Sequence, residues 1–270
     1  ADRVCSSKEE NAFLQKYLDN GSGKILPGAA LVGAGCGSYE LITLKGLSEI
    51  RRAEVIVYDD LIDEHLLEFA QESCELIYAG KRSGRHSKAQ EEINELLVAK
   101  ALEGKYIVRL KGGDPYVFGR GGEEAIALKA HGIPVHEVPG VTSSIGLCGM
   151  AGIPVTHRGA SRGFHVITGH TADNLPPEIE EIRWKSYAKL DETFVFLMGL
   201  KSIDMITEKL MRYGKLSDTP VAVIHGENTD GTYVKLVGTL SDIAAKVKEV
   251  DFPSPAIIVV GEVASLELTD

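Results

Sequence analysis

Two apolar runs in this chain lead straight into clusters of glycine, and that pairing restricts the fold more than any other feature. The first is Val32-Gly33-Ala34-Gly35-Cys36-Gly37-Ser38, which follows the strand-like run Ala29 to Val32. The second is Arg109-Leu110-Lys111-Gly112-Gly113-Asp114-Pro115, which continues the run Tyr106 to Leu110. Glycine carries no Cβ, so a backbone rich in it can turn tightly and approach a ligand closely. Two such turns in one chain predict a single nucleotide-like ligand held from two sides.

The rest of the first half alternates strand and helix patterns. Glu40 to Arg52 carries Leu41, Leu44, Leu47 and Ile50 at near-helical spacing. Strands are predicted at Glu54 to Tyr58, Glu75 to Tyr78 and Val135 to Val138, and helices at Asp63 to Gln71, Ala89 to Glu103 and Gly122 to His131. This alternation implies a mostly parallel sheet with helices on its faces. Past Pro139-Gly140 the rhythm changes. Helices are expected at Ser143 to Gly149, Ile203 to Tyr213 and Ser241 to Glu249. Strands are expected at Phe164 to Thr168, Thr193 to Leu197, Pro220 to Ile224 and Ala256 to Val260, with long polar loops at His170 to Asp191 and Gly226 to Tyr233. The expected fold class is α/β: an N-terminal domain over residues 28–139, a C-terminal domain over 140–270, and a cleft between them. Residues 1–27 are expected to be a surface extension or the tail of another domain, with one short helix at Ser7 to Leu18 ended by Asn20-Gly21-Ser22-Gly23.

Composition excludes several classes. Acidic residues outnumber basic ones 39 to 29, for a formal charge of −10. Non-specific nucleic-acid binding needs a basic footprint, so no nucleic-acid partner is expected. The cysteines Cys5, Cys36, Cys74 and Cys148 are scattered and form no C-x-x-C pair, which argues against a zinc site or a disulfide framework and fits a reducing cytoplasm. No apolar run is long enough to span a membrane, and the polar stretch Ala1 to Gln15 does not read as a signal peptide. P-loop, H-E-x-x-H and G-x-S-x-G motifs are absent, so no metal is expected, and His165 and His170 read as ordinary strand or loop histidines.

The first glycine cluster is open to three readings. A nicotinamide-binding turn would use Gly33 and Gly35 with Asp59 or Asp60 as the acidic residue about 20 positions on. The common methyltransferase turn wants an acidic residue where this chain has Leu31. The third reading is a tight turn without a ligand. The second cluster lies outside the nicotinamide pattern: Asp114 precedes a proline and is biased towards an extended conformation, so it can offer backbone groups and a carboxylate to an amine or a ribose. A cationic segment, Gly80-Lys81-Arg82-Ser83-Gly84-Arg85-His86-Ser87-Lys88, suits a polyanionic substrate. Arg109, Lys111 and Arg120, and then His157, Arg158 and Arg162, are expected to add to that field.

Taken in order, these segments resemble the tetrapyrrole methylases. Val32 to Gly46 is similar to the family's N-terminal signature, and Arg109 to Gly122 and Gly152-Ile153-Pro154-Val155-Thr156-His157-Arg158 are similar to later ones. Gly80-Lys81-Arg82 together with the segment ending His157-Arg158 resembles the branch that methylates uroporphyrinogen III. The resemblance runs from about Ala29 to Leu266. It implies two α/β domains of the tetrapyrrole methylase type, with the active site in the interdomain cleft, and a homodimer. It also implies S-adenosyl-L-methionine as donor, S-adenosyl-L-homocysteine as product, and two methyl transfers giving precorrin-2 for siroheme and cobalamin synthesis. By position in the motifs, Cys36, Gly112, Gly113, Asp114, Val117, Thr142, Ser143, Met198 and Glu227 correspond to donor-binding residues. Asp59 corresponds to the proton acceptor and Lys81 to the proton donor. Arg82, Arg85, His86, Arg120, His157 and Arg158 are expected to meet the substrate carboxylates. Three departures stand out: most members carry Pro where this chain has Cys36 and Asp where it has Ser38, and the loop His225-Gly226-Glu227-Asn228-Thr229 differs from the family's usual E-N-G-T-like run. The remaining alternatives are a methylase of a later precorrin, a nicotinamide-dependent oxidoreductase and a donor-binding regulatory or structural module without turnover.

Overall fold

The structure is a computed structural model that describes residues 27–80, 90–169, 176–226, 233–266 and 268. The helix expected at Ser7 to Leu18 and the cationic segment from Lys81 to Lys88 lie outside the described residues. The chain divides into two compact units between Thr142 and Ser143.

In the first unit, β1 (Gly28–Gly33) and β4 (Tyr106–Lys111) are buried at every position. Strands covered on both faces read as continuous apolar runs, and these two form the middle of a parallel sheet. Its order is β3-β2-β4-β1-β5, with β2 at Val55–Tyr58, β3 at Glu75–Tyr78 and β5 at Val135–Val138. All pairings are parallel, and in register Leu31 faces Arg109 and Gly33 faces Lys111. Alternate residues of each strand feed two separate cores. On one face Leu31, Val57 and Ile107 pack against Leu97 of α2 (Gln90–Leu102) and Leu128 of α3 (Gly121–Ala130). On the other, Val32, Ile56 and Leu110 pack against Ile50 of α1 (Leu44–Arg52) and Leu66.

The helix expected over Glu40 to Arg52 is two pieces. A short 3-10 turn at Tyr39–Leu41 is capped by Ser38, whose hydroxyl accepts the Glu40 N–H at 3.1 Å. Thr43 then caps α1 by accepting the Gly46 N–H at 3.0 Å. Serine and aspartate are comparable N-caps, so Ser38 does the local work that an aspartate would do there. The helix expected at Asp63 to Gln71 is a 3-10 segment, Glu64–Phe69, capped by the buried Asp63.

On the buried face of α1, Glu49 is 5% exposed and accepts from the Tyr106 hydroxyl at 2.6 Å and His136 Nε2 at 3.1 Å, and it pairs with Arg52 at 3.1 Å. Burial opposes its charge, but these hydrogen bonds and the Arg52 charge outweigh burial and hold its pKa below the ordinary 4.5. A carboxylate with a lowered native pKa stabilises the fold above its ordinary value, and that stability is lost as pH falls through the native one. We therefore expect the urea midpoint to fall as pH drops below about 4.5 and Glu49→Gln to flatten that fall, as a midpoint series against pH would show.

The second unit is built on a mixed sheet of order β6-β7-β10-β8-β9. Its strands are β6 (Phe164–Thr168), β7 (Thr193–Leu197), β8 (Pro220–Gly226), β9 (Tyr233–Thr239) and β10 (Ile257–Val260). Only β6 and β7 run parallel. One face packs Phe194, Phe196, Val221, Val223, Ile258 and Val260 against α5 (Pro177–Lys189), α6 (Ile203–Arg212) and α7 (Ile243–Glu249). The helix α4 (Ser143–Met150) lies against β7, β8 and β10. Two elements were absent from the sequence expectation. Helix α5 occupies most of the stretch read as a polar loop, and β9 adds an edge strand.

Candidate functional site

The carboxyl ends of β1, β4 and β5 meet at three glycines. A Cβ on Gly33 would stand 2.5 Å from Gly140 Cα and 2.7 Å from Gly113 O, and one on Gly140 would stand 2.1 Å from Gly113 O. All the obstructing atoms are backbone. Gly113 N–H donates to Gly35 O at 2.6 Å, and Ala34 N–H donates to Lys111 O at 2.8 Å. Gly35 and Gly113 have φ of +82° and +69°, a region that favours glycine. Gly112 is constrained in the same way, since its Cβ would meet Leu61 O at 2.5 Å. These glycines let the strand ends approach one another. Ligand approach is therefore not the only reason for their smallness, because the protein's own backbone already requires it.

Asp114 braces the same junction. Its carboxylate accepts the Tyr116 N–H at 2.8 Å and the Gly140 N–H at 3.2 Å, which ties the loop after β4 to the loop after β5. Glu137 lies near it, and burial, then the Asp114 charge, raise the Glu137 pKa above its ordinary value. A cation held between them would relieve that repulsion. Gly112, Gly113, Asp114, Val117 and Thr142 each keep part of their surface open, whereas Cys36 is buried. The donor set here is backbone groups and carboxylates, which suits a ligand with hydroxyls and a positive charge.

Next to this junction lies a buried charge cluster. Arg109 is 3% exposed, Lys111 5% and Glu124 0%. Arg109 Nη2 pairs with Asp59 at 2.7 Å and Arg109 Nε with Glu124 at 3.1 Å, while Lys111 Nζ reaches the same Glu124 oxygen at 3.0 Å. Burial, followed by the Arg109 charge, lowers the Lys111 pKa; burial also works against Arg109, but Asp59 and Glu124 raise its pKa all the same. Arg109 and Lys111 had been expected to join a cationic field for a polyanion. They are instead sealed against carboxylates and are not available to one.

Arg120 is exposed, and its guanidinium forks onto Glu123 at 2.8 and 2.7 Å. His157 and Arg158 are exposed in the second unit, in a turn closed by a bridge between His157 and Ser161. Met198, also in the second unit, follows β7 with φ +56° and is exposed. A positive φ in a non-glycine residue is uncommon and concentrates at functional sites. Ser143 opens α4. Lys81, Arg82, Arg85, His86 and Glu227 lie outside the described residues.

The nicotinamide reading fails on the sheet. Its fold places β1 between β2 and β4. Here β4 stands between β2 and β1, and β1 is flanked by β4 and β5. Its acidic candidates are also engaged, Asp59 by Arg109 and Asp60 by the Tyr78 hydroxyl.

Residues 30–244 match the sequence profile of the Tetrapyrrole (Corrin/Porphyrin) Methylases, and this chain belongs to that family. Among its relatives is a uroporphyrinogen-III C-methyltransferase of Methanocaldococcus jannaschii, 49% identical over 91% of this chain and 98% of the relative. Among solved structures, the uroporphyrin-III C-methyl transferase of Thermus thermophilus complexed with S-adenyl homocysteine superposes with a TM-score of 0.72. It is 37% identical and covers 87% of this chain and 98% of its own. The cobalamin biosynthetic enzyme cobalt precorrin-4 methyltransferase superposes as well, with a TM-score of 0.76 over 88% of this chain and 96% of its own, but at 25% identity. Backbone shape is therefore common to methylases of different acceptors, and sequence identity separates them.

Proposed function

We propose that this chain is an S-adenosyl-L-methionine-dependent C-methyltransferase that methylates uroporphyrinogen III twice to give precorrin-2. The observation that carries the reading is the near-full-length likeness to a uroporphyrinogen-III C-methyltransferase, joined to strand ends whose backbone and carboxylates suit a cationic donor. Cys36, Gly112, Gly113, Asp114, Val117 and Thr142 would hold the donor, and Ser143, Met198 and Glu227 are the further donor contacts that the family resemblance assigns. Lys81, Arg82, Arg85, His86, Arg120, His157 and Arg158 would meet the substrate carboxylates; the Arg120 pair with Glu123 is exposed and weak enough to be exchanged. The reading carries with it a homodimer in the cytoplasm, which light scattering of the purified protein checks.

When bound, the donor supplies a methyl group already activated on a sulfonium: the new carbon–carbon bond forms as the sulfur–carbon bond breaks, and the bonding electron pair returns to sulfur. The protein's work is then alignment and proton removal. Methylating a pyrrole carbon leaves a positive charge on the macrocycle, which is discharged when a proton leaves the ring system. Asp59 stands at the carboxyl end of β2, with 21% of its side chain exposed, and would accept that proton. Asp59→Asn keeps the shape and removes the base, so kcat is expected to fall about 10²–10⁴-fold. S-adenosyl-homocysteine affinity should stay unchanged in that variant; a wild-type rate would remove Asp59 from the chemistry.

Asp114 has a different expected signature. Asp114→Ala removes two hydrogen bonds to backbone N–H groups and one negative charge beside the donor loop. Hydrogen bonds to charged groups contribute about 1.5–3 kcal/mol, so S-adenosyl-homocysteine binding should weaken about 10- to 100-fold by calorimetry. Unchanged affinity would take Asp114 out of the donor site.

A further inference from the structure

Asp59 and the donor loop are joined by a residue to which the reaction has so far given no part. Arg109 runs through the sheet interior with its guanidinium fixed at both ends. Nε donates to Glu124 at 3.1 Å, Nη1 to Val57 O at 3.2 Å and Leu110 O at 2.9 Å, and Nη2 to Asp59 Oδ2 at 2.7 Å. A guanidinium has five N–H donors in a rigid plane, and four of them are committed here. The anchor is firm because Glu124 is fully buried and also accepts from Lys111 and Gln90. Two carboxylates and two cations make the cluster neutral in sum, so burying it leaves no uncompensated charge.

The far end of this rod meets Asp59, the member of the cluster with the most exposed side chain. Asp59 Oδ1 accepts the Leu61 N–H at 3.1 Å, and Oδ2 is held by Arg109. Each carboxylate oxygen therefore has one partner fixed and one lone-pair direction left over. Asp59 directly follows the end of β2, and these two bonds hold its carboxylate.

We propose that Arg109 is a positioning residue that aims the Asp59 carboxylate at the macrocycle, with Glu124 as its fixed anchor. This rests on the reading of Asp59 as proton acceptor. Arg109 touches neither substrate nor donor in this role and acts through Asp59 alone. Lysine cannot replace it, because a point charge on a flexible stem cannot bond Glu124, two carbonyls and Asp59 in one plane.

The test is a double-mutant cycle on the full chain, with Arg109→Lys, Asp59→Asn and the pair, reading kcat for methyl transfer and the dissociation constant of S-adenosyl-homocysteine. Misaiming a reacting group by about 1 Å costs up to about 100-fold, so Arg109→Lys should lower kcat roughly 10- to 100-fold with donor affinity unchanged. In the Asp59→Asn background the same substitution should cost nothing more, because the group it aims is gone. A general structural lesion would instead lower kcat equally in both backgrounds, and that result overturns the proposal, as does an Arg109→Lys enzyme with wild-type kcat. Should Arg109→Lys fail to fold, Glu124→Asp keeps the anchor's charge but withdraws it by one methylene, and should show the same background dependence. The two ideas fail in different places. A wild-type rate in Asp59→Asn alone removes the proton-acceptor reading and the proposal with it, whereas a slow Asp59→Asn with multiplicative losses removes only the proposal.

Discussion

Gly140→Ala is expected to lower stability by about 3 kcal/mol or more, at the upper end of what overpacking costs. The added methyl would sit 2.1 Å from Gly113 O, 2.7 Å from Gly33 Cα and 2.8 Å from Gly33 C. None of these atoms belongs to a side chain that can rotate away, so relief requires the strand ends of β1, β4 and β5 to part. For a chain of this size, about 3 kcal/mol corresponds to a melting temperature lower by about 6–12 °C. The same movement would pull the Gly140 N–H from Asp114, so donor affinity should fall along with stability. Gly122→Ala is the control. It lies in α3 with nothing within 4 Å of its Cβ, and alanine is the better helix former, so that variant should be as stable as the parent or more so. A Gly140→Ala protein that melts and binds S-adenosyl-homocysteine like the parent would contradict the description of the junction.

Glu124→Ala should be about as damaging, for an electrostatic reason. Breaking a buried ion pair by removing one partner costs about 3–5 kcal/mol, because the other charge stays behind. Here Arg109 and Lys111 would share Asp59 alone. Lys111, whose pKa burial already lowers, is the cation able to respond by releasing its proton on folding. The folded state would then bind fewer protons than the unfolded chain, so the stability of the variant should rise with pH from neutrality, and more steeply than that of the parent. Adding Lys111→Met to Glu124→Ala should recover part of the loss. Urea titrations of the four proteins at two pH values give the coupling, and strictly additive costs would show that the two side chains do not share a charge balance.

The three inner strands of the first sheet were legible because buried parallel strands are continuous apolar runs, and Ala29 to Val32, Val55 to Val57 and Tyr106 to Leu110 have no polar interruption except Arg109. Helix α5 was hidden for the opposite reason. Its Ile179 and Ile182 are exposed, while Trp184 and Ala188 are its buried residues, so the apolar spacing does not trace the packed face. The start signal was present in Pro177 at the first turn. Strand β9 lies at the sheet edge, half-exposed and interrupted by Gly238, and so shows no clean alternation.

At the site, the glycine clusters could be read directly and the family resemblance singled out Asp59, but the partner that holds Asp59 could not be read. Only the register that sets Val57 opposite Arg109 brings the guanidinium within reach of Asp59. The role of Glu124 was also concealed. It sits beside the exposed Glu123, and a pair of adjacent acids reads as a solvated helix start. A signal was available nonetheless: Glu124 shares the buried face of α3 with Ala125 and Leu128. Cationic residues were counted as field because sequence alone does not show which of them have carboxylates stacked behind them.

The most direct test of the central claim is an anaerobic incubation with S-adenosyl-L-methionine and two acceptors side by side, uroporphyrinogen III and a later precorrin, read by product mass. The predicted result is a gain of two methyl groups on uroporphyrinogen III and none on the other. Methylation of the later precorrin alone would contradict the assigned acceptor while leaving the fold and the donor site in place.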